Sequence, residues 1–447
     1  MQKQLWAKGY SVDDKILEFT TGNDRVLDLK LAPYDVLGSL AHIAMLQKIG
    51  LLTLEEYAAL RSELIRIYHE ILSAQFVIDA GVEDIHSQIE FMLTQRLGEV
   101  GKKIHSGRSR NDQVLVDMKL YMRDKIEEVV VNVKVLFELL QTLSEKYKNV
   151  LLPGYTHYQV AMPSSFGLWF GAYAEALTDD LHTLQAAYEV VNRNPLGSAA
   201  GYGSSFALQR QLTTDLLGFA GLNYNVVYAQ MTRGKADFVI LSSMASVAYT
   251  LNKLASDVVL YVSQNFDFIS FPPHLMEGSS IMPHKKNPDV FELIRAKTNQ
   301  IKSLPQSINA ITANMPSGYH RDWQLLKEHT LPAFDNLTDC LQLTAAMLEQ
   351  VIVNEHIIED KKYDYLFTVE RVNELVVAGM PFRDAYKKVG EEIENHTFKP
   401  NYKLHHSHEG SIGNIGTEYI RQYFDSIYAK FDFDTKKSKL NALISAT

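Results

Sequence analysis

Long stretches without proline or glycine constrain the fold of this chain more than any other feature. Only 13 prolines and 24 glycines occur in 447 residues, and both residue types interrupt helices. Apolar residues recur at steps of three and four, which places them on one face of a helix. In residues 164–191 this face comprises Phe166, Trp169, Phe170, Tyr173, Leu177, Leu181, Leu184, Tyr188 and Val191. Because no segment shows the alternation of a large sheet, we predict an all-α fold.

The lengths of the helical segments divide the chain into three predicted domains. The N-terminal domain, residues 1–106, has shorter helices, which we predict at 33–50, 53–73 and 83–98. The central domain, residues 107–355, has long helices, predicted at 112–147, 164–191, 235–264 and 288–313. Helices of that length predict a bundle. Residues 356–447 open with a new helical run and form a small helical C-terminal domain.

Composition narrows the classes of partner and compartment. A formal net charge of −9 argues against nucleic acid, because binding to a phosphate backbone requires clustered positive charge. The single cysteine, Cys340, excludes an intramolecular disulfide and fits a reducing compartment. The N-terminus lacks the apolar run of a signal peptide. Residues 236–262 are apolar but contain Asn252, Lys253 and Asp257, so we interpret them as a bundle helix rather than a membrane span. The composition predicts a soluble, cytoplasmic protein.

Residues 278–289, Gly-Ser-Ser-Ile-Met-Pro-His-Lys-Lys-Asn-Pro-Asp, combine a flexible loop with the start of a helix. Asn287 is a good N-cap, Pro288 suits the first helical position, and Asp289 complements the helix dipole. Hydroxyl groups and Lys285 at the positive end of a helix predict an anion site. The spacing alone is compatible with a phosphate or a carboxylate. A plain capped helix after a surface loop is the structural alternative.

Two further segments carry similar chemistry. Residues 105–113, His-Ser-Gly-Arg-Ser-Arg-Asn-Asp-Gln, place two guanidinium groups, Arg108 and Arg110, before a long helix. Such groups bind planar carboxylates bidentately; solvated arginines are the alternative, although arginines at a helix start oppose the dipole. In residues 154–159, Gly-Tyr-Thr-His-Tyr-Gln, His157 lies beside Thr156 and Gln159, and both a structural and a catalytic role are open.

The spacing of Arg108 and His157 has a consequence for assembly. The helix predicted at 112–147 is about 50 Å long at 1.5 Å per residue. Arg108 precedes this helix, and His157 follows Lys148 by nine residues, which span about 30 Å when extended. Within one subunit the two side chains cannot easily share a site. If they act together, the site is built across subunits and the protein is an oligomer.

Taken in order, these three segments resemble the fumarase/aspartase superfamily, and in particular its argininosuccinate lyase branch. Further similar segments are LAPYDVLGSLAH (31–42), EDIHSQIE (83–90) and GMPFRDA (379–385). The resemblance implies a reversible β-elimination that converts argininosuccinate to arginine and fumarate, with no metal and no organic cofactor. It also implies a homotetramer in which the central domains form a shared helical bundle and each active site draws on three subunits.

The resemblance also implies roles for individual residues. Ser279 is the expected catalytic base, acting as an alkoxide, and His157 the expected acid, oriented by Glu292. Lys285, with the helix N-terminus, is suited to the negative charge that develops on the substrate. By resemblance, Ser109, Asn111 and Thr156 bind the substrate at its carboxylates, and Tyr319, Gln324 and Lys327 bind its arginine portion. The residue types add Arg108, Arg110 and Asn287 to the expected substrate-binding residues.

Some segments depart from the family pattern. Residues 229–237 lack the expected Ser-Glu-Arg-Asp run, and we assign no role to Arg233 within them. Two alternative functions are open: a sister fumarate-producing lyase of the adenylosuccinate type, which the Lys285–Asp289 ending and the RSRND segment disfavour, and a catalytically silent, crystallin-like homologue. The run His405-His406-Ser-His408 lacks spaced carboxylate or cysteine partners, so we expect no metal site there.

Overall fold

The computed structural model describes residues 13–74, 76–79, 81–404 and 406–445. Its N-terminal part contains six helices: α1 (Asp14–Thr21), α2 (Asp24–Leu27), α3 (Ala32–Lys48), α4 (Leu54–Leu72), α5 (Ile85–Leu97) and α6 (Glu99–Lys102). Side-chain caps fix three of their starts, by Asp13 at α1, Thr53 at α4 and Asp84 at α5. Thr53 begins α4 with a reciprocal capping box to Glu56, and Asp84 begins α5 by accepting the backbone N–H of Ser87 at 2.8 Å. The three helices predicted in this part are confirmed within two residues at each end.

The central part consists of α7 (Arg110–Lys146), α8 (Phe166–Val191), α9 (Arg210–Leu216), α10 (Val226–Tyr261), α11 (Asp289–Ile311) and α12 (Leu326–Glu349). The five long helices pack as a bundle around one apolar core, to which Phe137, Phe170, Met244, Ile301 and Phe334 contribute buried side chains. The four long helices predicted here are confirmed, although α10 begins nine residues earlier than predicted. This all-α architecture confirms the predicted fold class.

Helix α10 is long and apolar enough to cross a membrane by length and composition alone. Its side chains argue otherwise, because Ile240, Leu241, Met244 and Val247 are fully buried in the bundle. A helix whose apolar residues face protein neighbours is stabilised by them and needs no lipid. It is therefore a core helix, as the sequence predicted for 236–262.

The C-terminal part contains α13 (Thr368–Val377), α14 (Phe382–Glu394), α15 (Thr417–Tyr428) and α16 (Phe433–Ser445). Helices α13 and α14 share a small core of their own. Helix α15 instead joins the bundle, where Phe424 stacks on Phe137 with ring centroids 3.8 Å apart. Helix α16 sends Leu440 and Leu443 into the N-terminal core. Because buried contacts cross residues 106 and 355, the domain boundaries at those positions stay a prediction.

Strands in the described residues form only two-stranded ladders. Two are antiparallel hairpins, β1 (Leu151–Thr156) with β2 (Gln159–Ser165), and β6 (Glu277–Gly278) with β7 (Lys286–Asn287). Of the others, β3 (Arg193–Asn194) pairs in parallel with β4 (Gly221–Leu222), and β5 (Ile269–Ser270) pairs in antiparallel with β8 (Ile352–Val353). Short 3-10 helices occupy Asp28–Lys30, Lys103–His105, Pro273–Leu275, Arg321–Leu325, Ile357–Glu359 and Lys361–Phe367.

Candidate active site

A polar cleft of about 270 Å³ lies where α7 begins. Six residues predicted to bind substrate line it together: Ser109, Arg110, Asn111, Tyr319, Gln324 and Lys327. Eight lining residues were not predicted: Asp24, Asp28, Asp84, His86, His105, Val114, Arg233 and Arg321. The cleft therefore joins the N-terminal part of the chain to the bundle, and it is rich in both charge signs.

Ser109 and Asp112 fix the start of α7 at the rim of this cleft. Ser109 Oγ accepts the backbone N–H of Asn111 at 3.3 Å, and Asp112 Oδ1 accepts that of Ser109 at 2.8 Å. The second Asp112 oxygen accepts the backbone N–H groups of Gly197 and Ala199, each at 2.9 Å. Burial raises the pKa of Asp112 to about 6. These bonds hold residues 109–111 in place with their side chains toward the cleft.

Carboxylates compensate two of the predicted cations. Arg110 contacts Glu83 at 3.2 Å and also Asp84; burial opposes its charge, but these carboxylates raise the pKa of Arg110. Lys327 lies 2.6 Å from Asp24 and 2.7 Å from Asp28. Burial likewise opposes its charge, and the two carboxylates raise the pKa of Lys327.

Arg108 does not line the cleft, which differs from the expectation that it binds substrate. Its side chain is buried and donates from Nη1 to Ser39 Oγ at 3.0 Å. Burial lowers the pKa of Arg108, while the charges of Asp35, Asp112 and Asp117 oppose that shift. A guanidinium enclosed by buried carboxylates stabilises the wall behind the cleft rather than a ligand inside it.

Behind the cleft, Asp35, His86 and Asp117 form a buried cluster. His86 Nδ1 is hydrogen-bonded to Asp35 and lies 3.5 Å from Asp117 Oδ2. Burial opposes the charge of the imidazole, but Asp35 raises the pKa of His86; burial and Asp35 raise the pKa of Asp117 well above its usual range. One ligand atom from each residue lies within 4.8 Å of the others, close enough to surround a metal ion. The hydrogen bond between His86 Nδ1 and Asp35 already joins two of the three residues, so we assign no metal to them.

The Ser279 segment forms the loop between β6 and β7, in which Glu277 pairs with Asn287 and Gly278 with Lys286. Ser279 Oγ accepts two backbone N–H groups, from residue 281 at 3.3 Å and from residue 282 at 3.1 Å. Lys285 and Glu292 are exposed. The prediction that Asn287 caps α11 is wrong, because Asn287 belongs to β7 and the residue before the helix is Pro288, which provides no side-chain cap.

His157 lies at the tip of the β1–β2 hairpin, directly after Thr156, the last residue of β1. His157 and Tyr158 have φ values of 54° and 57°, as both central residues of a type I′ turn do. The two side chains border a separate recess of about 290 Å³, whose other walls are Tyr155, Asp257, Leu260, Tyr261 and Phe266. The hairpin is a feature that the sequence did not predict.

Apart from Arg108 in the wall behind the cleft, the predicted residues therefore fall into three places on one chain: the cleft, the His157 hairpin, and the Ser279 loop with the first turn of α11. None of His157, Ser279, Lys285, Glu292, Thr156 and Asn287 lines the cleft. Helix α7 has 37 residues, a length of about 55 Å, and it separates the cleft at its start from the hairpin after its end. A single chain brings six of the nine predicted binding residues together in the cleft, but none of the predicted catalytic ones.

Several cleft residues escaped prediction because their signals are weak. Asp84 and His86 lie in the EDIHSQIE segment, which was noted only for its resemblance to the family. Asp84 also has the position of an N-cap before a helix, which gives it an ordinary structural explanation. Asp24 and Asp28 stand in a short helical stretch with no motif around them.

Comparison with known proteins agrees with this architecture. A family described as Lyase matches residues 13–302. An argininosuccinate lyase from Parabacteroides distasonis is 59% identical over 444 residues, covering 99% of this chain and 100% of that protein. The argininosuccinate lyase from Bacteroides thetaiotaomicron is 57% identical with the same coverage, and that from Thermotoga neapolitana is 38% identical, covering 88% of this chain and 98% of that protein.

Solved structures show the same fold at low sequence identity. An EDDS lyase variant with bound fumarate has a TM-score of 0.76 at 19% identity, covering 98% of each chain. A class II fumarase from Schistosoma mansoni has a TM-score of 0.72 at 15% identity, covering 96% of this chain and 94% of that one. These structures speak for the fold, and the full-length relatives for the branch. The chain belongs to the argininosuccinate lyases, within the fumarase/aspartase superfamily.

Proposed function

We propose that this protein converts argininosuccinate to arginine and fumarate, reversibly, as a cytoplasmic enzyme of arginine biosynthesis. The observation that carries this function is the 59% identity to an argininosuccinate lyase over nearly the whole of both chains. That match favours argininosuccinate lyase activity over an adenylosuccinate-type lyase and over a silent crystallin-like homologue. The cleft is suited to the substrate, which carries several carboxylates and two cationic groups.

The chemistry requires a base, an acid and stabilisation of negative charge. A proton leaves the carbon next to a carboxylate, the C–N bond breaks, and its electron pair stays on the guanidino nitrogen while the carbon–carbon double bond forms. The carboxylate next to the deprotonated carbon takes up charge in the transition state, and preorganised donors lower that barrier. In the proposal, Lys285 and the N-terminus of α11 supply this stabilisation.

Ser279 is the proposed base, and its surroundings support that role. A serine hydroxyl has too high a pKa to abstract a proton unless its alkoxide is stabilised. The backbone N–H groups at 3.3 and 3.1 Å already point at Ser279 Oγ. Such donors stabilise an oxyanion more strongly than a neutral hydroxyl. Lys285, six residues further along the same loop, would add positive charge when the loop closes on substrate.

His157 is the proposed acid, which protonates the departing nitrogen directly or through water. Glu292 is proposed to orient it across a subunit boundary, since the two side chains make no contact within one chain. Thr156 would reach the substrate from the His157 hairpin, and Asn287 from the end of the Ser279 loop. Ser109 and Asn111 would bind its carboxylates in the cleft, and Tyr319, Gln324 and Lys327 its arginine portion. Arg110, whose charge is already paired with Glu83 and Asp84, would hold the residues at the rim of the cleft in position.

A homotetramer with composite sites is the proposed assembly. Support comes from large apolar side chains that remain exposed on the bundle helices of a single chain: Val135 at 50%, Tyr249 at 62%, Leu293 at 63% and Leu343 at 49%. Apolar side chains exposed on four packed helices are typical of a surface that another subunit covers. In this assembly, the central one of the three predicted domains forms the bundle of the tetramer.

Two measurements test the proposal. Purified protein given argininosuccinate should release fumarate, which is followed by its absorbance, and should release none from adenylosuccinate. No fumarate from argininosuccinate would contradict the function. Separately, Ser279→Ala and His157→Asn should each be inactive, yet an equal mixture that is unfolded and reassembled should regain activity in about a quarter of its sites, since each site needs one intact copy of each residue from different subunits. A mixture that stays inactive would contradict the composite site.

A further inference from the structure

A backbone break in α10 sets one cleft residue apart. Arg233 (φ −66°, ψ 134°) and Gly234 (φ 81°, ψ −49°), the eighth and ninth residues of this helix, leave the helical conformation. The break is built in: Gly234 donates its backbone N–H to Asp237 Oδ2 at 3.0 Å, and a Cβ at position 234 would lie 2.8 Å from Thr312 Cγ2. Glycine alone fits a positive φ with so little space. Breaks of this kind cluster at functional sites.

Arg233 also differs from its neighbours in its charge partners. Four permanent cations line the cleft, namely Arg110, Arg233, Arg321 and Lys327. Three of them have carboxylate partners, which are Glu83 and Asp84 for Arg110, Glu83 for Arg321, and Asp24 and Asp28 for Lys327. Throughout the part of the chain that the structure describes, no carboxylate lies within 4.0 Å of the Arg233 guanidinium. Arg233 is therefore the one of these four cations without a direct ion pair, and Asp24 and Asp237 act on its charge only at longer range.

The surroundings of Arg233 hold it without neutralising it. The residue is 9% exposed. Its Nη2 donates to the Trp323 carbonyl at 3.3 Å, and its Cζ lies 5.6 Å from the centre of the Tyr319 ring. A guanidinium has five N–H donors, and this is its only hydrogen bond to the described residues. An almost buried cation with free donors is costly unless an anion joins it.

We propose that Arg233 binds the α-carboxylate of the amino-acid end of the substrate, and of free arginine, through a bidentate ion pair. The inference rests on the proposed function and specifies its substrate contacts. Tyr319 and Gln324, which adjoin Arg233 in the cleft, are the residues proposed for the arginine portion. Asp24 lines the same cleft and, besides its ion pair with Lys327, has a second carboxylate oxygen that can accept from an α-ammonium group. A cation and an anion side by side are what recognition of an α-amino acid demands.

The sequence around Arg233 departs from the family pattern. Residues 229–237 lack the Ser-Glu-Arg-Asp run expected from the family resemblance, so that Ala236 stands before Asp237 where an arginine would be expected. Arg233 lies three residues before that position, at the break in the helix. The break at Arg233 and Gly234 gives this earlier arginine access to the cleft.

The test compares arginine with agmatine, which is arginine without its carboxylate. Calorimetry should show that the wild-type protein binds arginine more tightly than agmatine. Arg233→Met should weaken arginine binding about 10- to 100-fold, the effect of losing charge-assisted hydrogen bonds, and should leave agmatine binding unchanged. The KM for argininosuccinate should rise by a similar factor, while inhibition by fumarate stays the same.

Matched variants separate the contact from folding and from general charge effects. Lys235→Met removes a neighbouring exposed cation that lies outside the cleft and should leave all constants unchanged. Arg233→Gln can still donate to the Trp323 carbonyl, so it provides a folded variant if Arg233→Met is unstable. An unaltered arginine-to-agmatine ratio in a folded Arg233 variant would overturn the inference, as would weaker fumarate inhibition with unchanged arginine binding. If the wild-type protein makes no fumarate, the proposed function fails, but the binding ratio still decides the role of Arg233.

Discussion

Lys119 provides a test of how the fold tolerates a buried amine. It lies on α7, is 1% exposed, and donates from Nζ to the Arg193 carbonyl at 2.9 Å and to Asn223 Oδ1 at 2.6 Å. It therefore ties α7 to the chain on either side of the β3–β4 ladder. Both acceptors are neutral, so no carboxylate offsets the loss of water. Burial, together with the positive charge of Arg193, lowers the pKa of Lys119 to about 7.

This shift makes stability depend on pH in a defined direction. Above the ordinary lysine pKa of 10.5 the amine is neutral in both the folded and the unfolded chain. As the pH falls from there to about 7, the unfolded chain binds the proton first, so the folded state loses stability. Below about 7 both states are protonated and the loss is constant. Between pH 7.5 and 9.5, Lys119 alone should raise the free energy of unfolding by about 2.5 kcal/mol.

The assay is urea unfolding at pH 7.5 and 9.5, at one fixed protein concentration because the stability of the proposed oligomer would depend on it. In Lys119→Met, the free energy of unfolding should no longer show the part of its rise between pH 7.5 and 9.5 that Lys119 contributes. This difference between the two pH values is the test, and the stability of the variant at a single pH is not. The two acceptors that lose their donor affect both pH values alike and so cancel in the comparison. Lys48→Met, at an exposed lysine of α3, should keep the wild-type pH dependence. The reasoning fails if Lys119→Met shows the same gain as the wild type.

Two substitutions test the packing around the site. Lys327→Met leaves Asp24 and Asp28 without the buried cation that lies 2.6 and 2.7 Å from them; urea unfolding at pH 8 should show a loss of about 3–5 kcal/mol, and an unchanged midpoint would contradict it. Gly167→Ala places a Cβ 2.5 Å from Lys148 Cα and 2.7 Å from the Ser144 carbonyl oxygen, so thermal unfolding should show a loss of about 1–3 kcal/mol. Gly390→Ala in α14, with open space around the added Cβ, should be neutral or stabilising.

The long helices were predictable because their signal is local. Apolar spacing is read within one segment, and caps such as Thr53 with Glu56 mark an end within four residues. The start of α11 was predicted wrongly for a non-local reason. Asn287 is a good N-cap by type, but its backbone pairs with Glu277 in a ladder, and that pairing sets where the helix can begin.

The His157 hairpin gave no usable signal for a similar reason. Type I′ turns are normally announced by asparagine or glycine, which adopt positive φ at little cost. Here His157 and Tyr158 occupy both positions, and neither residue type suggests such a turn. Two non-glycine residues in this conformation are costly. The hairpin presents His157 outward, and the proposed need to reach a neighbouring subunit gives that cost a purpose.

The sequence does not predict which of the arginines in and around the cleft has a charge available to a ligand. Arg108, Arg110 and Arg233 are alike as sequence letters, and the first two were favoured because they stand together. Their availability to a ligand depends on the carboxylates that each meets after folding. Arg108 is enclosed among buried acids, and Arg110 is paired with Glu83 and Asp84. Arg233 meets no carboxylate within ion-pair distance in the described chain, so the residue with the weakest motif has the charge most available to bind a substrate anion.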